Sequence, residues 1–198
     1  MEKVETTREN ALEILHEHVE SPALIRHCRA VEASMREYAR RLGEDEERWG
    51  FVGLIHDFDF EIHPTLDEHP QDGAPILREK GVPEDIVLDV LSHAEHTGVP
   101  RDTPLRKTLA AVDELSSFVV AVALVRPSKS LDDVKPRSVK KKMKDKAFAR
   151  AVDRDEMRRA AEELGVDFDE HILAVVEGLK PAAEDLGLST GERVATGD

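Results

Sequence analysis

Basic charge is in short supply in this sequence. The 198 residues carry 28 Lys+Arg against 42 Asp+Glu, a net charge of −14. Such a chain is a poor general binder of nucleic-acid polymers, which are gripped by basic patches. A small phosphate substrate is not barred, because a bound cation reverses the field locally. Cysteine is nearly absent. Cys28 stands alone, so no internal disulfide can form, which suits a reducing compartment. No apolar run is long enough to span a membrane, and the opening "MEKVETTREN" has no apolar signal core. The expectation is a cytoplasmic protein without membrane contact. Aromatics make up 4% and charged residues 35%, a balance that suits helices with charged outer faces better than strands.

Helical punctuation is abundant. In "SPALIRHCRAVEASMREYARRLG", Ser21 can cap the start, Pro22 fits the first turn and Gly43 fits the stop. Leu24, Cys28, Val31, Met35, Tyr38 and Leu42 recur at helical spacing, with His27 on the same stripe. A second helix is expected over Asp45 to about Asp57, with Trp49, Val52 and His56 on one side. "PQDGAPILREKG" reads as a short helix opened by His69-Pro70. "PEDIVLDVLSHAEH" reads as another, with Ile86, Val90 and His93 following its apolar face. A long helix runs from Pro104 to about Val125, with Leu109, Asp113, Ser116 and Val120 on one side. "PRSVKKKMKDKAFARAV" reads as a basic helix. Asp153 and Glu156 mark the start of the next, and a last helix covers about 168–180. No stretch reads as a strand. The expected architecture is all-α: a single-domain bundle of about eight helices over 1–186, with a flexible tail at 187–198.

Polar residues fall on faces that ought to be buried. The apolar run from Phe51 to Ile55 leads directly into His56 and Asp57 within "GLIHDFDFEIHP". His27, His93 and Asp113 each lie on an apolar stripe, and His69 opens another element. Each has an ordinary explanation when taken singly, as a core histidine on a carbonyl or a carboxylate paired with an arginine. Several helices burying such groups independently would make a costly core. Convergence on cations gives the whole pattern one explanation. Imidazole nitrogen with carboxylate oxygen suits first-row transition metals better than calcium.

The order His27 … His56-Asp57 … Asp113 resembles the HD superfamily, helical metal-dependent phosphohydrolases named for an adjacent His-Asp pair. "EHPQDGAPIL" and "LSHAEHTGVP" resemble two further segments of its two-metal HD-GYP members, which adds His69 and His93 as ligands. "VDELSSFVVAVALVRPSKS" resembles the family's Asp helix and the turn after it, where Arg126 and Lys129 would contact phosphate. The resemblance covers roughly residues 20–130. The whole chain, including "VALVRPSKSL" and "KKKMKDKAFAR", resembles a group of small uncharacterised predicted HD hydrolases. It implies a mono- or binuclear site for Mn, Fe, Co, Ni, Zn or Mg, held by His27, His56, Asp57, His69, His93 and Asp113. Asp57 would bridge, and Asp59 would be a proton donor, with Glu61 and His63 as nearby alternatives. The substrate would be a small phosphate ester or nucleotide, with discrimination in loops 58–70 and 97–104 and the C-terminal helices.

Three departures narrow this. Asp59 and Phe60 stand where HD-GYP members place Gly and Lys, Ala94 replaces a second histidine, and "GVP" replaces Gly-Tyr-Pro. Cyclic-dinucleotide cleavage of that type is therefore not expected. Two other uses of the same ligands are a di-iron oxygenase of HD fold and a metal-bound nucleotide-binding regulatory module. The basic stretch 135–150, with Lys135, Arg137, Lys140, Lys141, Lys142, Lys144, Lys146 and Arg150, reads first as a solvated helix face.

Overall fold

The computed structural model describes residues 3–190. Nine α-helices and three short 3-10 turns are present among the described residues, with one isolated bridge between Ser130 and Ser189 and no named strand. The helices are α1 (Arg8–His18), α2 (Pro22–Leu42), α3 (Glu46–Ile55), α4 (Gly73–Glu79), α5 (Glu84–Leu91), α6 (Pro104–Leu124), α7 (Pro136–Met143), α8 (Arg154–Leu164) and α9 (Phe168–Leu179).

Helix α2 is the central post, packed on α3, α6 and α9. It starts where the Ser21 hydroxyl accepts the Leu24 amide and ends where Gly43 takes φ 72°, a left-handed conformation costly for other residues. Its inward stripe buries Cys28, Val31, Met35 and Tyr38. Helix α3 is buried on all sides from Trp49 to Ile55, not along a single stripe. Gly53 allows this: a Cβ there would stand 2.9 Å from Glu32 Cα on α2. Beneath the site, Asp89 on α5 accepts from Arg48 on α3 (2.7 Å) and Arg106 at the start of α6 (2.8 Å). That double pairing satisfies a carboxylate that is only 4% exposed and ties three helices. At the far end, His171 on α9 lies between the Tyr38 hydroxyl and the Ala111 carbonyl, which joins α9 to α2 and α6.

Several boundaries differ from the sequence reading. Helix α1 has only a weak apolar stripe, Ala11, Ile14 and Leu15, which packs on α3. Helix α4 begins at Gly73, after the turns that follow His69-Pro70. Helix α5 ends at Leu91, so His93 lies beyond it. The basic helix stops at Met143, whose carbonyl, left without a helical donor, accepts from Arg154 (3.1 Å). Its Lys140 pairs with Asp169 of α9 at 2.8 Å. Of the expected tail, residues 187–190 are held: Leu188 is buried, and the Ser189 amide donates to the Lys129 carbonyl (2.9 Å). Residues 191–198 lie outside the described residues. No helix among the described residues is long and apolar enough to cross a membrane.

Candidate metal centre

The six residues singled out by the sequence meet in one place. His27 comes from α2, His56 and Asp57 from the end of α3, His69 from the loop before α4, His93 from the loop after α5, and Asp113 from the middle of α6. They form two groups, His27/His56/Asp113 and Asp57/His69/His93. Nε2 of His27 lies 3.0 Å from Nε2 of His56 and 3.2 Å from an Asp113 oxygen. Nε2 of His69 lies 3.1 Å from Nε2 of His93. Asp57 reaches both groups. One oxygen is 3.2 Å from His27, and the other is 3.2 Å from His69, 3.4 Å from His93 and 3.5 Å from His56.

Every ring is fixed from behind. Nδ1 of His56 bonds the Gly53 carbonyl (2.8 Å), and Nδ1 of His93 bonds the Val90 carbonyl (2.6 Å). His27 Nδ1 pairs with the Ser117 hydroxyl (2.7 Å), and His69 Nδ1 pairs with Asp59 (2.9 Å). A carbonyl only accepts, so the neutral rings of His56 and His93 carry their proton on Nδ1 and turn a lone pair inward. The interior of the cluster is thus nitrogen lone pairs facing two carboxylates, acceptors against acceptors. Such a set is stable only with cations among its members.

Protonation of the metal-free chain tells the same story. Burial opposes charge on His27, but hydrogen bonds to Asp113 and Asp57 overcome it and push its pKa up to about 10. Burial is likewise outweighed at His69 by Asp57 and Asp59, to about 9. His56 is also raised, because the charges of Asp57 and Asp113 outweigh burial. Both aspartates are held well below the usual carboxylate range: burial opposes this, and the His56 charge and the bond from His27 overcome it. Without metal, protons occupy the role that divalent ions would fill. The donor set, nitrogen-rich with two carboxylates, fits first-row ions.

A model of the HD domain matches residues 24–125, just over half of the chain and the whole of this cluster. The chain belongs to the HD-domain family. That family is a superfamily of metal-dependent phosphohydrolases, and the all-helical bundle of this HD domain agrees with it. No curated protein and no solved structure matches the chain.

Other expected site residues fall elsewhere. Asp59 is fully buried behind His69, on the side away from the cluster, and its second oxygen has no partner. Glu61 accepts the amides of Glu20 (3.1 Å) and Ser21 (3.0 Å) just ahead of α2. Arg126 and Lys129 follow the end of α6. The twelve residues from Asp113 to Leu124 span about 16 Å along the axis, so these two cations follow at the C-terminal end of the helix that carries Asp113.

Sequence reasoning passed over Ser117, although it stands one turn after Asp113 on the same face of α6. It also passed over Gly73, where a Cβ would lie 2.5 Å from Asp59. Glu114, half-buried beside Asp113, has its carboxyl pushed up to about 7 by burial and by the Asp113 charge. His96 is exposed yet bonds the His69 carbonyl through Nε2 (3.0 Å). Phe60, 44% exposed, stands edge-on to the His69 ring at 5.1 Å.

Proposed function

We propose that this HD domain is a phosphohydrolase that uses one or two divalent transition-metal ions to cleave a small phosphate ester or nucleotide. The observation that carries the proposal is the inward convergence of four Nδ1-anchored histidines and two aspartates, with Asp57 reaching both groups. His27, His56, Asp57 and Asp113 would hold one ion, and Asp57, His69 and His93 the other. Bound ions would acidify a water toward neutral pH and neutralise charge on a phosphoryl group. The chain's own contribution is positional. Gly53, Val90, Ser117 and Asp59 orient the rings. Asp59 acts here as a positioning residue. The overall charge of −14 is no obstacle, because ions in the cluster give it local positive character.

The test is metal content per chain, by elemental analysis of protein purified without chelator, for wild type, Asp57→Ala and His93→Ala. A panel of phosphate monoesters, diesters and nucleotides with Mn, Co, Ni, Zn, Fe and Mg follows. About two ions in wild type, fewer in both variants, and turnover lost with Asp57→Ala support the proposal. Metal-free wild type after reconstitution sinks it. Iron with a mixed-valent spectrum moves the reading to an oxygenase, and nucleotide binding without turnover across all metals moves it to a regulatory module.

A further inference from the structure

The segment between α5 and α6 holds a cation that the ligand set does not use. Arg101 is 13% exposed, and its guanidinium is fully engaged. Nε donates to the Ser92 carbonyl (3.0 Å) and Nη2 to the His93 carbonyl (2.7 Å). Nη1 donates to Glu156 on α8 (3.0 Å), with Glu163 of the same helix at 3.6 Å. Glu156 is paired in turn with Arg159. The fork therefore closes on carbonyls just past the end of α5, where no further helical turn supplies donors.

That placement bears on one half of the centre only. His93 lies outside α5, where its amide makes a single 3-10-type bond to the Val90 carbonyl (3.2 Å). Its ring is bonded to Val90, but the ring points correctly only if the chain between 90 and 93 keeps its course. Arg101 holds that course at the Ser92 and His93 carbonyls, alongside the Ser92 hydroxyl on the Asp89 carbonyl (2.6 Å) and the Thr97 hydroxyl on the Leu91 carbonyl (2.8 Å). The same segment also supplies His96, which bonds the backbone of His69. Both histidines of the Asp57/His69/His93 group are thus braced through their carbonyls from residues 92–101. Neither side chain makes a hydrogen bond or ion pair with His27, His56 or Asp113, which sit on α2, α3 and α6.

We infer that Arg101 is a positioning residue for the His69/His93 half of the centre. Glu156 orients it, so α8 governs occupancy of that half without supplying a ligand. The inference rests on the proposal that the cluster holds ions, and its test separates the two. Chelator-treated protein is titrated with Mn2+ and with Co2+, and stoichiometry and affinity of each binding step are read by calorimetry and by the cobalt visible spectrum. Variants are Arg101→Ala, Arg101→Lys and Glu156→Gln. Lysine keeps the charge beside Glu156 but cannot span two carbonyls.

The expected result is two binding steps in wild type. In both Arg101 variants the tighter step stays within about twofold and the other weakens about tenfold or more, the range seen when groups behind a ligand are removed. Glu156→Gln shifts the same step in the same direction by less. Wild-type affinities in both Arg101 variants overturn the inference, as does equal weakening of both steps. A single step in wild type also overturns it, while no binding at all in wild type overturns the functional proposal instead. If Arg101→Ala fails to fold by circular dichroism, Arg101→Lys and Glu156→Gln decide on the same criteria.

Discussion

Replacing His171 with glutamine isolates one buried titration. The imidazole is fully buried, and burial drives its pKa from 6.5 down to about 4, against the opposing bond to the Ala111 carbonyl. The folded pKa is the lower one, so between the two values the unfolded chain binds the extra proton. Stability from this group is complete above pH 6.5 and falls as pH drops toward 4. The fall from 6.5 to about 4 sets a ceiling of about 3 kcal/mol, of which about 2.5 is lost by pH 4.5. Glutamine retains an acceptor for Tyr38 and a donor for Ala111 but does not titrate. Urea unfolding of wild type and His171→Gln is compared at pH 7.5 and pH 4.5. Taking the difference at each pH removes the cluster histidines, whose raised pKa values give the metal-free chain the opposite slope. Wild type should lose about 2.5 kcal/mol more than the variant on acidification. A gap that does not change with pH would refute the reasoning, because His171 would then be charging in the folded state.

Four further outcomes follow from the site. Asp59→Ala should weaken the ion bound through His69 about 10- to 100-fold, read by competition with a chromophoric chelator, since His69 Nδ1 loses its only partner. Gly73→Ala puts a Cβ against the Asp59 carboxylate and should cost about 1–3 kcal/mol in denaturant unfolding; an unchanged midpoint would show that the carboxylate can move. Metal added at pH 8 to weakly buffered metal-free protein should release protons, because His27 and His69 are raised to about 10 and about 9; an indicator dye that stays silent would mean the rings are already neutral. Arg126→Ala and Lys129→Ala should leave turnover of a small phosphate ester unchanged, and a tenfold rise in KM for either would place those cations at the substrate after all.

The parts of the fold that rest on local chemistry were legible. Ser21, Pro22 and Gly43 bound α2 as the sequence indicated, and the long α6 begins at Pro104 and carries Asp113 on its inner side. The ligand candidates were legible because carboxylates and imidazoles at apolar positions break a pattern. Their support was not, because Gly53 and Val90 act through backbone carbonyls that any residue would supply. His93 was assigned to a helix from its spacing, yet the chain leaves α5 two residues earlier. The end of α7 is met by Arg154 reaching back eleven residues to the Met143 carbonyl, a tertiary contact that periodicity does not encode. Arg126 and Lys129 are candidates by motif alone, and they follow the end of the helix that carries Asp113.

The sharing of Asp57 makes the centre divide unevenly. Without His69 and His93, the chain still presents His27, His56, Asp57 and Asp113, a complete set for one ion. Without Asp57, the other half is left with two imidazoles and no carboxylate ligand, since Asp59 lies behind His69. One half can thus exist alone, while the other depends on a residue whose second oxygen already faces its neighbour. Drift from a two-ion to a one-ion enzyme would need only changes at positions 69 and 93. The reverse route, keeping the His69/His93 ion and discarding the other, would leave three protein ligands, Asp57 with two imidazoles, against the four of the first half.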